Sequence, residues 1–118
     1  MKAKRKDNGE WVEGDLLHTR HADVVLISDF EDQLFRCDGN TLCQYTGLAD
    51  KNGKKIWEND IVHCGMKLRV SWHHFKASWV LSKKGWLYNH FFGEAVEPED
   101  VEVVGNVLDN AELLEVEE

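Results

Sequence analysis

The stretch QYTGLADKNGKKIWENDIV, residues 44–62, decides the fold class of this chain. An Asn-Gly pair, Asn52 and Gly53, stands between two apolar segments. Both residues tolerate the positive φ angles that the two central positions of a type I′ turn require. The stretch therefore predicts a β-hairpin, whose second strand carries Trp57 and ends at the polar corner of residues 58–60.

A shorter copy of this pattern stands near the start of the chain, as DNGEWVEGDLL, residues 7–17. Each copy contains an Asn-Gly pair, a Trp-bearing strand pattern, a Glu-x-Asp sequence and two aliphatic residues. The pattern predicts two equivalent hairpins, in each of which an Asn-Gly turn leads into a Trp-bearing strand that ends at a polar corner. The equivalence arises either by duplication or because the same corner is formed twice. With about ten residues in each copy, true repetition is not demonstrated.

The rest of the chain also has the patterns of β structure. Further strands are predicted at residues 23–28, 68–72, 78–81, 85–88 and 101–108. A turn is predicted at residues 37–40, and a helical turn at residues 109–114 with Asp109 or Asn110 as its N-cap. Pro98 precedes the last predicted strand and interrupts none of the others.

The segments IWENDIV, LRVSW and SWVL resemble the opening of an SH3-like barrel, in which a polar pair introduces one strand and two more follow as a meander. Short strands separated by Gly-centred turns are typical of small barrels and strongly bent sheets. We therefore expect a mainly β fold: a small SH3-like barrel or a strongly bent antiparallel sheet, with hairpin extensions and a short C-terminal helical turn.

Length and composition predict one folded domain over residues 1–118. The chain of 118 residues has the size of one ordinary domain, and five Trp and five Phe supply bulky core material. No apolar run is long enough to cross a bilayer, and the basic start MKAKRK is not followed by the apolar region of a signal peptide. We expect no membrane association and a location in the cytoplasm.

The cysteines and histidines contain the ligand types of a zinc site but not its spacing. The three cysteines, Cys37, Cys43 and Cys64, are an odd number and match no common disulfide framework, so reduced thiols are expected. The chain has no CxxC, HxxxH or HExxH motif, and on a strand His73 and His74 point to opposite faces. We therefore expect no metal site and no cofactor.

Two pairs of carboxylates are the strongest candidates for catalysis. Glu58 and Asp60, like Glu13 and Asp15, are spaced to share one face of a strand. A catalytic dyad needs burial, whereas these side chains flank turn residues and are expected to be exposed to water, where turn hydrogen bonds explain them better. The chain also lacks GxSxG, P-loop and GxGxxG motifs. We therefore expect no catalytic residues and no enzyme activity.

The charge is distributed unevenly along the chain. The net charge of −8 argues against the whole molecule coating a nucleic acid. Residues 61–93 contain no Asp or Glu, whereas residues 94–118 contain no Lys or Arg and many acidic residues. The simplest interpretation is that acidic and basic strands lie side by side in one sheet, where opposite charges favour pairing. The alternative is that the basic block is a binding surface.

Cationic and aromatic side chains are interleaved in this basic block. They are Lys67, Arg69, Lys76, Lys83 and Lys84, with Trp72, Phe75, Trp79, Trp86 and Tyr88. Small barrels hold single-stranded nucleic acids with this mixture, through phosphate contacts and base stacking. The competing interpretation is that Trp72, Trp79 and Trp86 belong to the core and that the lysines are solvated.

Three blocks of the chain resemble the YopX family, small proteins of bacteriophages and prophages. The blocks are KRKDNGEWVEGDLL (4–17), QYTGLADKNGKKIWENDIV (44–62) and VEVVGNVLDNAELL (101–114), of which YTGL followed by DKNGK is the most specific. Asn59 stands where the family usually has Gly, and Ala111 stands where it usually has Pro. The resemblance implies a β-rich domain from a phage or prophage and assigns no biochemical activity.

We therefore expect a phage accessory protein that acts by binding, either to a host or phage protein or to a second copy of itself. The expected contact residues are the exposed aromatics of the Phe91-Phe92 pair and the Trp-bearing corners. Self-association is expected because a small open sheet must cover its edge strands. The alternative is nucleic-acid binding through residues 67–88. An acidic surface at residues 94–118 also permits imitation of DNA at a basic site of a host protein.

Overall fold

The computed structural model of the chain describes residues 1–20, 23–83, 90–92 and 96–115. The fold is mainly β, as predicted, and every pair of strands within its sheets is antiparallel. The chain divides into two compact units, Met1–Gln44 and Tyr45–Glu118. The single domain that the length predicts stays a prediction.

In the first unit, the part of the chain that the structure describes forms five strands in two sheets. The strands are β1 (Lys2–Lys4), β2 (Trp11–Glu13), β3 (Asp15–His18), β4 (Val24–Ser28) and β5 (Leu34–Asp38). Strand β1 pairs with β2, and the second sheet has the order β3-β4-β5. A 3-10 turn over Gly39–Thr41 follows β5, with the Asp38 side chain accepting a hydrogen bond from the Asn40 N–H.

The core of the first unit consists of small and β-branched side chains from both of its sheets. They are Ala3, Val12, Val25, Ile27 and Cys37. On β4, the buried Val25 and Ile27 alternate with less buried neighbours, as a half-buried strand requires. Gly14 allows β2 and β4 to approach closely, because a Cβ atom at this position would lie 1.9 Å from the Ser28 carbonyl oxygen.

The described residues of the second unit form seven strands in two sheets. The strands are β6 (Tyr45–Ala49), β7 (Lys55–Trp57), β8 (Asp60–His63), β9 (Lys67–His73), β10 (Ser78–Ser82), β11 (His90–Phe91) and β12 (Glu102–Asn106). Strands β6 and β7 form a hairpin, and the larger sheet has the order β11-β10-β9-β8-β12. A 3-10 turn over Pro98–Asp100 precedes β12, and the helical turns α1 (Val107–Asn110) and α2 (Glu112–Glu115) follow it.

The main core cluster of the second unit lies on one face of the larger sheet. It is made by Ile56, Val62, Leu68, Val70, Leu81, Phe92 and Val101. Leu68 and Val70 are buried on β9, while Arg69 between them is exposed, because successive side chains on a strand point to opposite faces. The meander of β8, β9 and β10 that the sequence predicts is confirmed.

The predicted barrel is not confirmed. Within the part of the chain that the structure describes, the strands form separate antiparallel sheets and do not close on one another. Strand β12, which carries Glu102 from the acidic block, does share a sheet with β9, which carries Lys67 and Arg69 from the basic block, as the simplest interpretation of the charge pattern predicts. It pairs with β8, however, so these two strands are not direct neighbours.

Most predicted strands are confirmed, and the C-terminal boundary differs. Strands β4, β9 and β10 match the predictions at residues 23–28, 68–72 and 78–81, whereas the prediction at residues 85–88 lies outside the described residues. The last strand ends at Asn106 instead of residue 108. The Asn106 side chain accepts a hydrogen bond from the Asp109 N–H at 2.8 Å and is therefore the N-cap of α1. The predicted cap at Asp109 or Asn110 is wrong.

The hairpin between β6 and β7 is confirmed, but its turn is not type I′. The Asp50 N–H donates to the Lys54 carbonyl at 2.8 Å, and the Gly53 N–H donates to the Asp50 carbonyl at 3.0 Å. Gly53 has a φ of 79°, whereas the φ of Asn52 is not positive. This is the three-residue loop in which a type I turn precedes a residue in the left-handed region.

The N-terminal Asn-Gly pair forms a different turn. The Arg5 N–H donates to the Glu10 carbonyl at 2.8 Å, and the Gly9 N–H donates to the Arg5 carbonyl at 3.0 Å. The φ of Gly9 is 74°, and that of Asn8 is not positive. Both Asn-Gly segments do connect the strands of a hairpin and lead into a Trp-bearing strand, as predicted, but the expectation that the two are equivalent is wrong because their turns differ.

The true equivalent of the Asp50 loop connects β4 to β5. The Asp29 N–H donates to the Gln33 carbonyl at 2.9 Å, and the Asp32 N–H donates to the Asp29 carbonyl at 3.2 Å. The Asp29 Oδ1 accepts the N–H groups of Glu31 and Gln33, both at 2.9 Å, as Asp50 does in its own loop. Asp32, with a φ of 62°, occupies the left-handed position that glycine has in the other loop.

Candidate binding surface

The β9–β10 hairpin brings several of the predicted contact residues together at one end. His73 lies opposite Ser78 and Trp72 lies opposite Trp79, so residues 74–77 form the loop. We call residues 72–79 the hairpin end. It carries Trp72, Lys76 and Trp79 from the predicted set, and it contains no acidic residue.

Three aromatic side chains dominate the hairpin end. The rings of Trp72 and Trp79 meet edge to face, with their centroids 5.0 Å apart and their planes at 67°. Trp72 is 43% exposed, and Phe75 in the loop is 93% exposed. An edge-to-face pair is a preferred aromatic geometry, so the two indoles hold each other in place. The hairpin end therefore presents a fixed apolar surface to solvent.

The loop of the hairpin end has a specific backbone conformation. The Lys76 N–H donates to the His73 Nδ1 at 3.1 Å, and Ala77 has a φ of 46°. The rings of His74 and Phe75 meet edge to face at 6.1 Å. A non-glycine residue in the left-handed region costs about 1 kcal/mol, and such strained positions recur at functional sites.

The other cations of the predicted set do not join the hairpin end. Lys67 and Arg69 lie at the opposite end of β9, and by the alternation of the strand they project from the face opposite to Trp72. The Arg69 Nη2 donates to the Asn59 Oδ1 at 2.8 Å. Lys83 directly follows β10. Lys84 and Trp86 lie outside the described residues, as does Tyr88.

The Phe91-Phe92 pair does not form the exposed aromatic surface that the sequence predicts. Phe92 is only 9% exposed and belongs to the core of the second unit, and its N–H donates to the Trp79 carbonyl at 3.0 Å. Phe91 pairs with Val80 in the sheet, and its side chain lies outside the described atoms. Phe92 is buried because it packs into the apolar cluster that contains Val70 and Leu81, so the prediction of an exposed pair is wrong at this residue.

Asp50 is a buried carboxylate that the sequence analysis did not single out. Its Oδ1 accepts the N–H groups of Asn52 and Lys54, both at 2.9 Å, and its Oδ2 accepts the Val103 N–H at 2.9 Å. Burial alone would raise the pKa of Asp50, but the backbone hydrogen bonds from Val103, Lys54 and Asn52 outweigh it and lower the pKa. Asp50 is therefore an ionised structural anchor. The sequence signal for this role is the position of Asp50 before the Asn-Gly pair, because Asp side chains in turns accept hydrogen bonds from the backbone of the same turn.

One of the carboxylates considered for catalysis, Asp60, also has a structural role. Asp60 is 3% exposed, so the expectation that it is exposed to water is wrong. The Asp60 Oδ2 accepts the Trp57 N–H at 2.8 Å across the turn between β7 and β8. Asn59 has a φ of 71°, a conformation that glycine adopts without strain. This explains why the family that the chain resembles usually has glycine at this position. The buried Asp60 thus fixes a corner of the backbone.

The cysteines are free thiols with little access to water. Cys37 and Cys43 are buried, and Cys64 is partly buried. Burial raises the pKa of the Cys37 thiol, which keeps it protonated and unreactive at neutral pH. Among the residues that the structure describes, no group of three or more His, Cys, Asp or Glu side chains could hold a metal ion.

Comparison with known proteins adds one finding. The family model described as YopX protein matches residues 2–115. The chain belongs to the YopX family. The match covers nearly all of this YopX family member, including both of its compact units. No curated protein matches the chain. None of the helices within the described residues is long and apolar enough to cross a membrane.

The most specific block of this YopX family member has a structural role. In YTGL, the Thr46 hydroxyl donates to the Ile56 carbonyl at 2.7 Å, and Gly47 has a φ of 82°. The rings of Tyr45 and Trp57 lie 5.4 Å apart, with the Lys55 ammonium 5.2 Å from the Tyr45 ring centroid. The block therefore builds the β6–β7 hairpin, and the exposed hairpin end lies outside it.

Proposed function

We propose that this YopX family member is a phage or prophage accessory protein that acts in the bacterial cytoplasm by binding a protein partner. The hairpin end is the contact surface, with Phe75 inserting into the partner and Trp72 and Trp79 packing beside it. The protein is a binding module and not an enzyme in this proposal. A host protein and a protein of the phage itself are both suitable partners.

The exposure of Phe75 carries the proposal. A phenyl ring that is 93% exposed contributes little to the stability of the fold, while its burial in a complex is worth about 2 kcal/mol. Tryptophan is enriched among the residues that dominate protein interfaces, and Trp72 is 43% exposed beside the loop. The absence of acidic residues from residues 72–79 avoids an unpaired buried carboxylate in the complex.

Nucleic-acid binding has less support as a second candidate. A single strand requires cations along a track that also presents aromatic faces for stacking. Lys67 and Arg69 project from the face of β9 opposite to Trp72, and the indoles of Trp72 and Trp79 pack edge to face against each other. The cations and the aromatic rings of β9 therefore do not form one continuous track.

The test is a pull-down from bacterial lysate with the wild-type protein and the variant Phe75→Ala, with half of each sample treated with nuclease. We expect a discrete protein that survives nuclease and is lost with Phe75→Ala. The matched control is Phe30→Ala, because Phe30 is 82% exposed and also lies in a hairpin loop, but in the first unit. Phe30→Ala should retain the partner.

Three results would reject the proposal. One is a partner that Phe75→Ala retains as well as the wild type, and the second is equal loss with both alanine variants. The third is recovery that disappears with nuclease, which would favour the nucleic-acid alternative. A Trp72→Ala variant gives a second measure of the same surface, since it removes the larger side chain from the exposed edge of the Trp pair.

Self-association is the remaining part of the proposal. The open sheets leave edge strands that a second copy can pair with or cover. Light scattering coupled to size-exclusion chromatography over a range of concentrations tests it. A mass that rises toward twice 13.6 kDa supports a dimer, and a constant mass of 13.6 kDa rejects it.

A further inference from the structure

A second candidate site lies in the first unit, independent of the hairpin end. A surface depression of about 460 Å³ is lined by Arg5, Lys6, Asp7, Leu34, Phe35 and Arg36. We call it the basic depression. Its volume falls in the range of sites that hold small ligands or a few side chains of a partner. The pairing of Arg5 with Cys37 in an isolated β-bridge brings the two stretches of chain together.

One of the three cations in the basic depression is already neutralised. The Arg5 guanidinium donates two hydrogen bonds to Asp7, from Nε to Oδ1 at 2.9 Å and from Nη2 to Oδ2 at 2.6 Å. This pairing raises the pKa of Arg5 and lowers the pKa of Asp7. The same guanidinium lies 4.7 Å from the centroid of the Phe35 ring. Arg5 is therefore held in the wall and is not available for a ligand.

The other two cations lack an acidic partner among the described residues. Within the described part of the chain, the structure records no ion pair for Lys6 or Arg36, and both residues are exposed. Their backbones are joined, because the Lys6 N–H donates to the Arg36 carbonyl at 2.9 Å. The connection makes the two residues neighbours across the two stretches of chain, and both line the depression.

An apolar surface lies next to these charges. Leu34 is 59% exposed, and Phe35 on the same strand is partly buried. A single exposed leucine is ordinary, but a leucine beside two unpaired cations in a concave surface selects for a ligand with two properties. The ligand carries a negative charge and places an apolar group within a few ångströms of it.

We propose that the basic depression binds an acidic peptide segment of a protein partner. A carboxylate of the segment pairs with Lys6 and Arg36, and a neighbouring apolar side chain packs on Leu34. Arginine offers a planar, two-pronged contact to a carboxylate, so Arg36 provides the directional part of the recognition. This contact is separate from the hairpin end and does not depend on it.

Charge and ring geometry favour a peptide over a single-stranded nucleic acid. Nucleic-acid sites of this type need a free aromatic face on which a base can stack. In the first unit the Phe35 ring is covered by Arg5, and the Trp11 ring has Lys2 at 4.6 Å and Lys4 at 5.4 Å. Cations therefore already occupy a face of the Phe35 and Trp11 rings, where a base would have to stack.

The test measures fluorescence anisotropy of a labelled probe peptide with alternating Glu and Leu, titrated with the full-length protein. A peptide of alternating Gln and Leu controls for charge, and a labelled single-stranded oligonucleotide tests the competing ligand class. We expect the Glu-Leu peptide to bind most tightly. Its affinity should fall about tenfold with Arg36→Glu, a loss equivalent to about 1.4 kcal/mol.

Matched variants separate the site from general effects of charge and hydrophobicity. Arg20→Glu makes the same charge change at an exposed arginine of the same unit outside the depression, and should bind like the wild type. Leu34→Ala should weaken binding, whereas Leu17→Ala, at a leucine that is 46% exposed outside the depression, should not. Circular dichroism checks folding, and Lys6→Glu replaces Arg36→Glu if that variant does not fold.

Several outcomes would overturn the proposal. Equal binding of the Gln-Leu peptide would remove the role of the carboxylates, and equal loss with Arg20→Glu would indicate a non-specific charge effect. Tighter binding of the oligonucleotide, lost with Arg36→Glu, would assign the depression to nucleic acid. A change in oligomeric state with Arg36→Glu, together with no peptide binding, would assign it to an acidic segment of a second copy.

Discussion

The carboxylate of Asp50 joins a hairpin loop to the last strand of the chain, since its Oδ2 accepts the N–H of Val103, 53 residues further along, at 2.9 Å. The neighbouring Lys51 N–H donates to the Val101 carbonyl at 3.0 Å. Two adjacent residues of the β6–β7 loop thus hold the start of β12. The motif DKNGK therefore acts at long range as well as within its own turn.

The variant Asp50→Asn should destabilise the protein. In the wild type, three backbone N–H groups donate to the Asp50 carboxylate. The NH₂ group of an asparagine cannot accept a hydrogen bond, so it would leave at least one of these buried donors unsatisfied. We expect the free energy of unfolding in urea to fall by about 1–3 kcal/mol. The control is Glu31→Gln, at an exposed acid in the equivalent loop, which should change it by less than about 0.5 kcal/mol. Equal stability of both variants would contradict the anchoring role.

The contribution of Asp50 should depend on pH. Its folded-state pKa is lowered, so the stability it provides is fully present above its pKa in the unfolded chain, near 3.8. That stability is lost as the pH falls through the folded-state value. The difference in unfolding free energy between wild type and Asp50→Asn should therefore be constant near neutral pH and shrink below about pH 4. A difference that does not change down to pH 2.5 would refute this assignment.

The variant Asp32→Gly should stabilise the protein. Asp32 has a φ of 62° at the position that Gly53 occupies in the other loop, and a side chain there costs free energy that glycine avoids. We expect the free energy of unfolding to rise by about 0.5 kcal/mol. The reverse change, Gly53→Ala, should lower it by about 1 kcal/mol. Destabilisation by Asp32→Gly would show that its side chain has a role beyond the turn.

The variant Gly14→Ala should be among the most damaging small substitutions. A Cβ atom at residue 14 would lie 1.9 Å from the backbone oxygen of Ser28, and a backbone atom cannot rotate away. We expect a loss of about 3 kcal/mol. At Gly105 the nearest atom would be the Asn110 Oδ1 at 2.7 Å, which belongs to a side chain and can shift, so Gly105→Ala should cost less. The same ranking should appear in thermal melts, and the reverse order would contradict it.

One folding domain should give one unfolding transition. The length of 118 residues predicts a single cooperative unit, although the strands divide into two compact parts. Differential scanning calorimetry should show one peak, whose calorimetric and van 't Hoff enthalpies agree. Two peaks, of which Gly14→Ala shifts only one, would instead define two independent domains.

The sequence predicted strands better than it predicted turns. The alternation in LRVSW is a direct consequence of strand geometry, so β9 could be located from residue types alone. The turn at Asn52-Gly53 was assigned to type I′ because both residues tolerate positive φ. The turn type is determined by the hydrogen bonds that the Asp50 side chain accepts from its own loop. These bonds favour the three-residue loop with a type I turn. The prediction that Asp60 is exposed is wrong for a related reason, since its burial follows from the fold of the corner.

Only part of the candidate binding surface could be predicted from the sequence. Side chains an odd number of residues apart on a strand point to opposite faces. The strand pattern alone therefore predicts that Lys67 and Arg69 lie on the face opposite to Trp72. Phe75 is exposed because it lies in the loop of the hairpin. The length of that loop is known only from the pairing of His73 with Ser78, which the sequence does not specify. The basic depression could not be predicted, because a tertiary bridge joins residues distant in sequence.

The contact between Trp72 and Trp79 also gives the protein an intrinsic optical reporter. Because the two indole ring centroids lie 5.0 Å apart with their planes at 67°, we expect their excited states to couple and to give a paired positive and negative band in far-ultraviolet circular dichroism. The couplet exists only while β9 and β10 are joined near their loop. Its amplitude can therefore follow the integrity of this single hairpin during heating, mutation or complex formation, without any attached label.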